Sequence, residues 1–223
     1  MTAHVTTVGD LAVLGRAWVK GWTVSRGTPA PVELPWGLRV DVGLPDQLAR
    51  HVLPDADEAA VRAAAAAVTE PETWIKAFIA AESLAAWLGP DWRHASDGFL
   101  MSSRVSPAPA RAPEGYTVTE ETRNGVTLVR VLAADGTVAA HGQVAVTGAY
   151  SVVDRVATEP AHQRRGLGSV VMHSLANISA AAGARTSVLG ASHDGRALYE
   201  ALGWVTHAPL NGFVHRSATV PPL

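Results

Sequence analysis

The chain contains no cysteine, which excludes disulfides, thiolate zinc sites, iron–sulfur clusters and a cysteine nucleophile together. Lysine is almost missing too. Lys20 and Lys76 both fall in the first half, so anion binding in the second half must come from arginines and backbone amides. A net charge of −2 over 223 residues provides no basic field of the kind that holds a phosphate backbone, so a general nucleic-acid binder is not expected. No run approaches the ~18–20 continuous apolar residues of a membrane span. The N-terminus also lacks a basic region followed by an apolar core and a small-residue cleavage site, and cytoplasmic residence is the expectation. The histidines show neither HExxH nor an i, i+4 pair, so no metal site is expected. What is present is a globular composition, 48% hydrophobic and 17% charged, long enough for one large domain or two small ones. There are 7 tryptophans, and all except Trp204 lie before residue 100, which suggests two halves with different jobs.

The proline-rich stretch Ser106–Pro113 cannot continue a helix or join a sheet interior, and it marks the expected boundary. The division is an α-rich half over 1–105, a linker over 106–113 and a second unit over 114–223. In the first half Asp10 can cap a helix carrying Leu11, Leu14, Trp18 and Trp22 on one face. A strand over Leu38–Val42 follows. Asp57 opens an alanine-rich helix through Ala63–Ala67. Thr69 and Pro71 open another helix, with Trp74, Phe78, Ala81 and Ala85 on a stripe, which Gly89-Pro90 stops. A strand is expected over Phe99–Arg104.

The second unit turns to strands: Tyr116–Glu120, Val126–Ala133, Val138–Thr147 and Ser151–Thr158, with Asp135-Gly136 as a hairpin turn. Helical spacing returns at Leu167, Val170, Val171, Leu175 and Ile178, and Gly183 closes that helix. A strand over Ser187–Gly190 precedes a helix over Arg196–Leu202 capped by Gly203. Strands over Trp204–His207 and Phe213–Ser217 end the chain's pattern.

The stretch Val156–Ser169 reads as a strand, a proline-marked turn and a glycine-bearing helix start. Unpaired amides at such a start, approached closely because glycines leave the backbone bare, form an anion site suited to a diphosphate. Other glycine-loop readings fail on particular residues. A dinucleotide fingerprint needs a third glycine where Val171 stands, a Walker loop needs a Gly-Lys-Ser/Thr, and Asp194 stands where a nucleophile elbow closes with glycine.

Gln163-Arg-Arg-Gly-Leu-Gly168 matches Gln/Arg-x-x-Gly-x-Gly/Ala, and Leu198-Tyr-Glu-Ala-Leu-Gly-Trp204 resembles Leu-Tyr-x-x-x-Gly-Phe, with Trp204 in place of the phenylalanine. With these two motifs in this order the chain resembles the GNAT superfamily of acyl-CoA-dependent N-acyltransferases, over roughly residues 114–217. The resemblance implies an α/β (α+β) fold, a mixed and mostly antiparallel sheet flanked by helices, with acetyl-CoA as co-substrate and no metal. It implies that main-chain groups of Val156, Ala157 and Thr158 hold the pantetheine arm and the acetyl carbonyl. It also implies that Gln163, Arg164, Arg165, Gly166, Leu167, Gly168 and Ser169 surround the pyrophosphate. By the same resemblance Ser192 marks where strands splay around the arm, and Tyr199 protonates the departing thiolate.

Amine attack on a thioester needs a polarised carbonyl, a stabilised leaving group and a neutral amine. Strand alternation puts Asp154 on the face of Val156 and Thr158, which makes it the candidate base. Its competing reading is an ion pair with a neighbour or a cap on a backbone amide. For Tyr199 the competing reading is a packing residue, and for Arg164 and Arg165 it is solvated surface charge. The tryptophan helices read either as core or as the lining of a cleft. His141, on a central strand, either faces substrate or is a hydrogen-bonded core residue.

One departure from the family stands out. Two helices usually lie between the first two strands of the domain and wall the acceptor site, whereas here Glu121–Gly125 leaves room for neither. The helical first half is the candidate replacement, and its element order leaves open a degenerate second copy of the same fold. The leading reading is an N-acetyltransferase acting on a small-molecule amine or a peptide. The alternatives are a non-catalytic acyl-CoA-binding or regulatory module and an interaction domain using exposed aromatics. Homodimers are common in the superfamily, and no residue here specifies an interface.

Overall fold

The computed structural model describes residues 8–216. His4 and Ser217, the end of the last expected strand, lie outside the described residues. The first half runs α1 (Val8–Arg26), β1 (Val32–Leu34), β2 (Gly37–Leu44), β3 (Gln47–Leu53), α2 (Glu58–Ala67), β4 (Thr73–Ala77), α3 (Ala81–Leu88), β5 (Trp92–Ser96) and β6 (Phe99–Arg104). The second runs β7 (Tyr116–Arg123), β8 (Val126–Ala133), β9 (Val138–Thr147), β10 (Tyr150–Thr158), α4 (Leu167–Ala181), β11 (Thr186–Ala191), α5 (His193–Ala201), β12 (Val205–Pro209) and β13 (Asn211–His215).

Two mostly antiparallel sheets result, ordered β1-β2-β3-β4-β13-β5 and β12-β6-β11-β10-β9-β8-β7. In each, a strand, a helix and a parallel strand are followed by a helix and two more strands: β3–α2–β4–α3–β5–β6 in the first half and β10–α4–β11–α5–β12–β13 in the second. The last strand of each set crosses over. β6 inserts between β11 and β12, and β13 inserts between β4 and β5. The first half therefore repeats the topology of the second, and each half completes the other's sheet.

Because of this exchange the sheets do not separate at residues 106–113. That stretch leaves β6 and crosses α4, where the Asn177 side chain bonds the Ala108 amide and carbonyl, both at 2.9 Å. His173 Nδ1 adds a contact to the Pro109 carbonyl at 3.0 Å.

Two helices sandwich the second sheet. α4 buries Leu167, Val171 and Leu175 on one face, where Gly142 lets it approach: a Cβ there would stand 2.7 Å from Val171. α1 covers the opposite face through Gly21, whose missing Cβ would stand 2.3 Å from Val152. Strand alternation sends Val152 into a cluster with Trp18, Trp22, Phe78 and Leu100, and Val153 into the α4 cluster. The first cluster draws on both halves, so the tryptophans of α1 pack the joint between them.

Several expectations need correction. The helix expected from Pro71 is a strand at its start: Thr73–Ala77 form β4, and helix begins only at Ala81. Trp74 and Phe78 imitate a helical period, but β3 offers Trp74, Ile75 and Lys76 a parallel ladder, which suits the aromatic Trp74 and the β-branched Ile75. Asp10 falls inside the first turn of α1 instead of preceding it. α5 begins three residues before Arg196, capped by Ser192, whose Oγ accepts the Gly195 amide at 3.1 Å. Strands β1, β3 and β5 were not expected, so the first half has more strand than its helical periodicity implies. Glu121–Arg123 extend β7, and the connection to β8 is the tight hairpin turn Asn124-Gly125, both residues at positive φ, while α1 packs on β9 and β10.

Candidate active site

β10 and β11 pair in register at Tyr150, Ser151 and Val152 and then diverge. Further along β10 a bulge places Arg155 and Val156 opposite Gly142 of β9, with Arg155 at φ 53°. A bulge frees main-chain groups from the ladder and re-aims side chains. Here it does so where the two strands have parted.

The chain then turns through Pro160–His162 into α4. Arg164 (φ 62°) and Gly166 (φ 77°) are both left-handed. Alternation of this kind points successive amides to one side and forms an anion-binding concavity at the positive end of the helix. Gly168 keeps the concavity shallow: its missing Cβ would lie 3.0 Å from Leu198 of α5.

A cleft of about 1000 Å³ runs along this surface. Of the residues expected to hold a coenzyme, Val156, Thr158, Gln163, Arg164, Gly166, Leu167, Gly168, Ser169 and Ser192 line it, and so does Tyr199. Ala157 and Arg165 are not among the lining residues. Arg165 turns away, donating to the Tyr116 hydroxyl at 3.0 Å and to the Ala161 carbonyl at 3.3 Å. His193, Asp194 and Gly195 line it as well; these first-turn residues of α5 had no motif to mark them.

Tyr199 is 8% exposed and packs against Trp204 and over Gly195. Burial, reinforced by the Asp154 charge, pushes its phenol up to about 12. The hydroxyl is therefore in its donor form at neutral pH. The same side chain is both packed and part of the cleft wall.

A second, smaller cleft of about 230 Å³ meets the first at Ser192. It lies at the joint of the halves, lined by Trp18, Trp22 and Arg26 of α1, Arg50 of β3, Lys76 of β4, Ser96, Asp97, Asp154, Gly190 and Leu210. The tryptophans thus serve as both core and cleft wall. Asp154 faces this cleft with its oxygens occupied. Oδ1 accepts from Arg26 Nη2 at 2.8 Å and from the Arg155 amide at 2.9 Å, and Oδ2 accepts from Ser25 Oγ at 2.9 Å. Arg50, Lys76 and Arg26 were not anticipated, although a lone cation inside the apolar run Leu48–Leu53 is a signal that sequence reading can use.

The corresponding turn of the first half is built differently. Between β3 and α2 stand Pro54-Asp-Ala-Asp57 without glycine, Glu58 opens the helix, and Asp57 fills its own helix start by accepting the Ala60 amide at 2.7 Å. Those carboxylates repel a diphosphate, so of the two turns the one before α4 is suited to bind one. Among the described residues, no group of three or more His, Asp and Glu is placed to hold a metal ion. No helix among them is long and apolar enough to cross a membrane.

The profile of the acetyltransferase (GNAT) family matches residues 82–204. No protein of curated function matches the chain. Among solved structures, a GCN5-related N-acetyltransferase from Kribbella flavida is 17% identical, covering 94% of this chain and 97% of its own at a TM-score of 0.66. A GNAT-family protein from Novosphingobium aromaticivorans is 18% identical over 91% of this chain and 99% of its own, at 0.57. A tandem GNAT protein from the clavulanic acid biosynthesis pathway is 13% identical over 63% of each chain, at 0.51. At these identities the structures share the fold. The family profile reaches from α3 through the glycine turn to Trp204, and so takes in strand β6 from before the proline-rich stretch. The chain belongs to the GNAT acetyltransferase family.

Proposed function

We infer that this protein transfers an acetyl group from acetyl-CoA to a primary amine, with the donor in the larger cleft and the amine in the smaller. The observation that carries this reading is the meeting of the clefts at Ser192, where β10 and β11 have parted, with Tyr199 on the wall of the larger one.

The amides from Arg164 to Ser169 receive the pyrophosphate of the coenzyme, with Gln163 beside them. Main-chain groups freed by the bulge at Arg155 and Val156, continuing through Ala157 and Thr158, hold the pantetheine arm. They donate to the carbonyl oxygen as negative charge develops on it. The amine nitrogen bonds to the carbonyl carbon and the carbon–sulfur bond breaks. The sulfur leaves with the electron pair and takes a proton from Tyr199, which recovers one from water. The amine's own proton passes to water in the open smaller cleft. Asp154, with its oxygens already occupied, positions Arg26 and the end of α1 instead of accepting that proton. The first half walls the acceptor site in place of the missing helices, with α1 as its main contribution.

Release of free thiol from acetyl-CoA on addition of an amine panel tests this reading. Acetylated product with stoichiometric thiol supports it. Coenzyme binding with no release across the panel favours a non-catalytic acyl-CoA-binding module instead.

A further inference from the structure

The smaller cleft holds more buried positive charge than the protein answers. Arg50 is 8% exposed and lies 4.1 Å over the Trp22 ring; its Nη2 donates to Gln47 Oε1 at 2.9 Å, while its Nε is buried with no hydrogen-bond partner among the described residues. Lys76, also 8% exposed, donates to Ser96 Oγ at 2.6 Å. Lys76 and Ser96 meet over Gly212 of β13, where a Cβ would stand 2.5 Å from Ser96 Oγ and 3.1 Å from Lys76 Nζ. Neither carboxylate of the cleft is hydrogen-bonded or ion-paired to Arg50 or Lys76, although the Asp154 charge reaches Arg50 through space. Asp154 is held by Arg26, and Asp97 pairs with His193 at 2.8 Å.

A buried guanidinium does not shed its proton. Holding it buried without an ion-pair partner costs several kcal/mol, a cost that an anionic ligand in the cleft would offset. A cavity of about 230 Å³ takes a molecule of amino-acid size, below the ~300–1,000 Å³ of pockets for drug-sized ligands. We propose that the smaller cleft recognises an anionic group, so that the acceptor is a small primary amine that also carries a carboxylate or phosphate, held by Arg50 and Lys76 with its amine toward Ser192. The proposal rests on the acyltransferase reading above.

A proton equilibrium accompanies the contact. In the empty cleft, burial and then the Arg50 charge bring Lys76 down to about 7. The charged groups around it are Arg50 on β3, Arg26 on α1, Asp154 on β10 and Asp97 before β6. An anion beside Lys76 draws a proton onto it, so affinity falls as pH rises above about 7, by up to about tenfold per pH unit.

Matched pairs test the idea: L-phenylalanine against 2-phenylethylamine, and O-phosphoethanolamine against ethanolamine, which separate carboxylate from phosphate. Each is measured by thiol release, and by calorimetric titration into the chain saturated with CoA. The expected result is a kcat/KM at least tenfold higher for the anionic member of one pair, a preference that Arg50→Gln and Lys76→Met each erase while acetyl-CoA still binds. Retained acetyl-CoA binding shows that the variants fold. Equal or better use of the neutral members, or a preference that survives Lys76→Met, overturns the proposal. If no thiol is released here or across the wider amine panel, the acyltransferase reading fails separately from the subsite. Calorimetry then still decides: binding of the anionic member alone supports the subsite, and binding of neither overturns it.

Discussion

Arg26, the last residue of α1, grips Asp154 of β10 with two donors, its Nη2 reaching Oδ1 at 2.8 Å and its Nε reaching Oδ2. The pair closes a network in which Ser25 Oγ also donates to Asp154, and Gln143 Nε2 donates to the Ser25 carbonyl at 2.7 Å. The end of the first helix is thereby fixed to the bulged strand of the site. The pair is partly buried, with side-chain exposures of 32% and 12%.

Asp154→Asn is therefore expected to act first on stability. Losing a charge-assisted contact of this kind costs about 1–3 kcal/mol, read as a lower denaturation midpoint, with turnover reduced less than tenfold. A hundredfold loss of kcat at unchanged stability would instead mark Asp154 as the base.

Tyr199→Phe keeps the ring packed on Trp204 and Gly195 and removes the hydroxyl. Turnover is expected to fall about 10²-fold, the lower range for a general acid, while calorimetric affinity for acetyl-CoA stays the same. Unchanged turnover would leave Tyr199 a packing residue only.

Gly166→Val forces a β-branched residue into the left-handed conformation (φ 77°), at a cost of roughly 1–2 kcal/mol, and sets a side chain at the mouth of the amide concavity. Coenzyme affinity is expected to weaken at least tenfold, read by calorimetry. Arg165→Ala, which removes a side chain turned toward Tyr116, is expected to weaken it less than threefold.

His51 supplies a pH prediction. Its Nδ1 accepts from Trp36 Nε1 at 3.2 Å, and burial, with the Arg39 charge second, lowers it to about 4 from 6.5. Between those values the unfolded chain binds the proton and the folded chain does not, so folding stability rises with pH there and is lost as pH falls from about 6.5 to 4. In His51→Gln, which keeps an acceptor for Trp36, the melting temperature is expected to drop less than in the parent across that window. Parallel curves would show that His51 does not contribute.

The larger cleft was legible because its signals are local. Gly166 is needed by the left-handed turn in which it sits, Gly168 by the approach of Leu198 to the first turn of α4, and Tyr199 lies within a few residues of the glycine that ends its helix. The smaller cleft was not, because β4 is a strand only through its pairing with β3, a contact across residues 49–77 that no window of sequence contains. Read as helix, Lys76 belonged to no site; read as strand, it enters the cleft beside Arg50. The exchange of β6 and β13 was equally hidden, since either strand could close the sheet of its own half and only tertiary packing selects the partner. The short Asn124-Gly125 turn leaves no helix between β7 and β8, and α1 covers the sheet face opposite α4.

The two units are built alike, and we propose that only the turn before α4 binds the donor. Calorimetric titration of the full chain with acetyl-CoA is the decisive measurement. One molecule is expected to bind per chain, with binding weakened at least tenfold by Gly166→Val and unchanged by Asp57→Ala in the turn of the first half. Two sites per chain, or no binding at all, would contradict it.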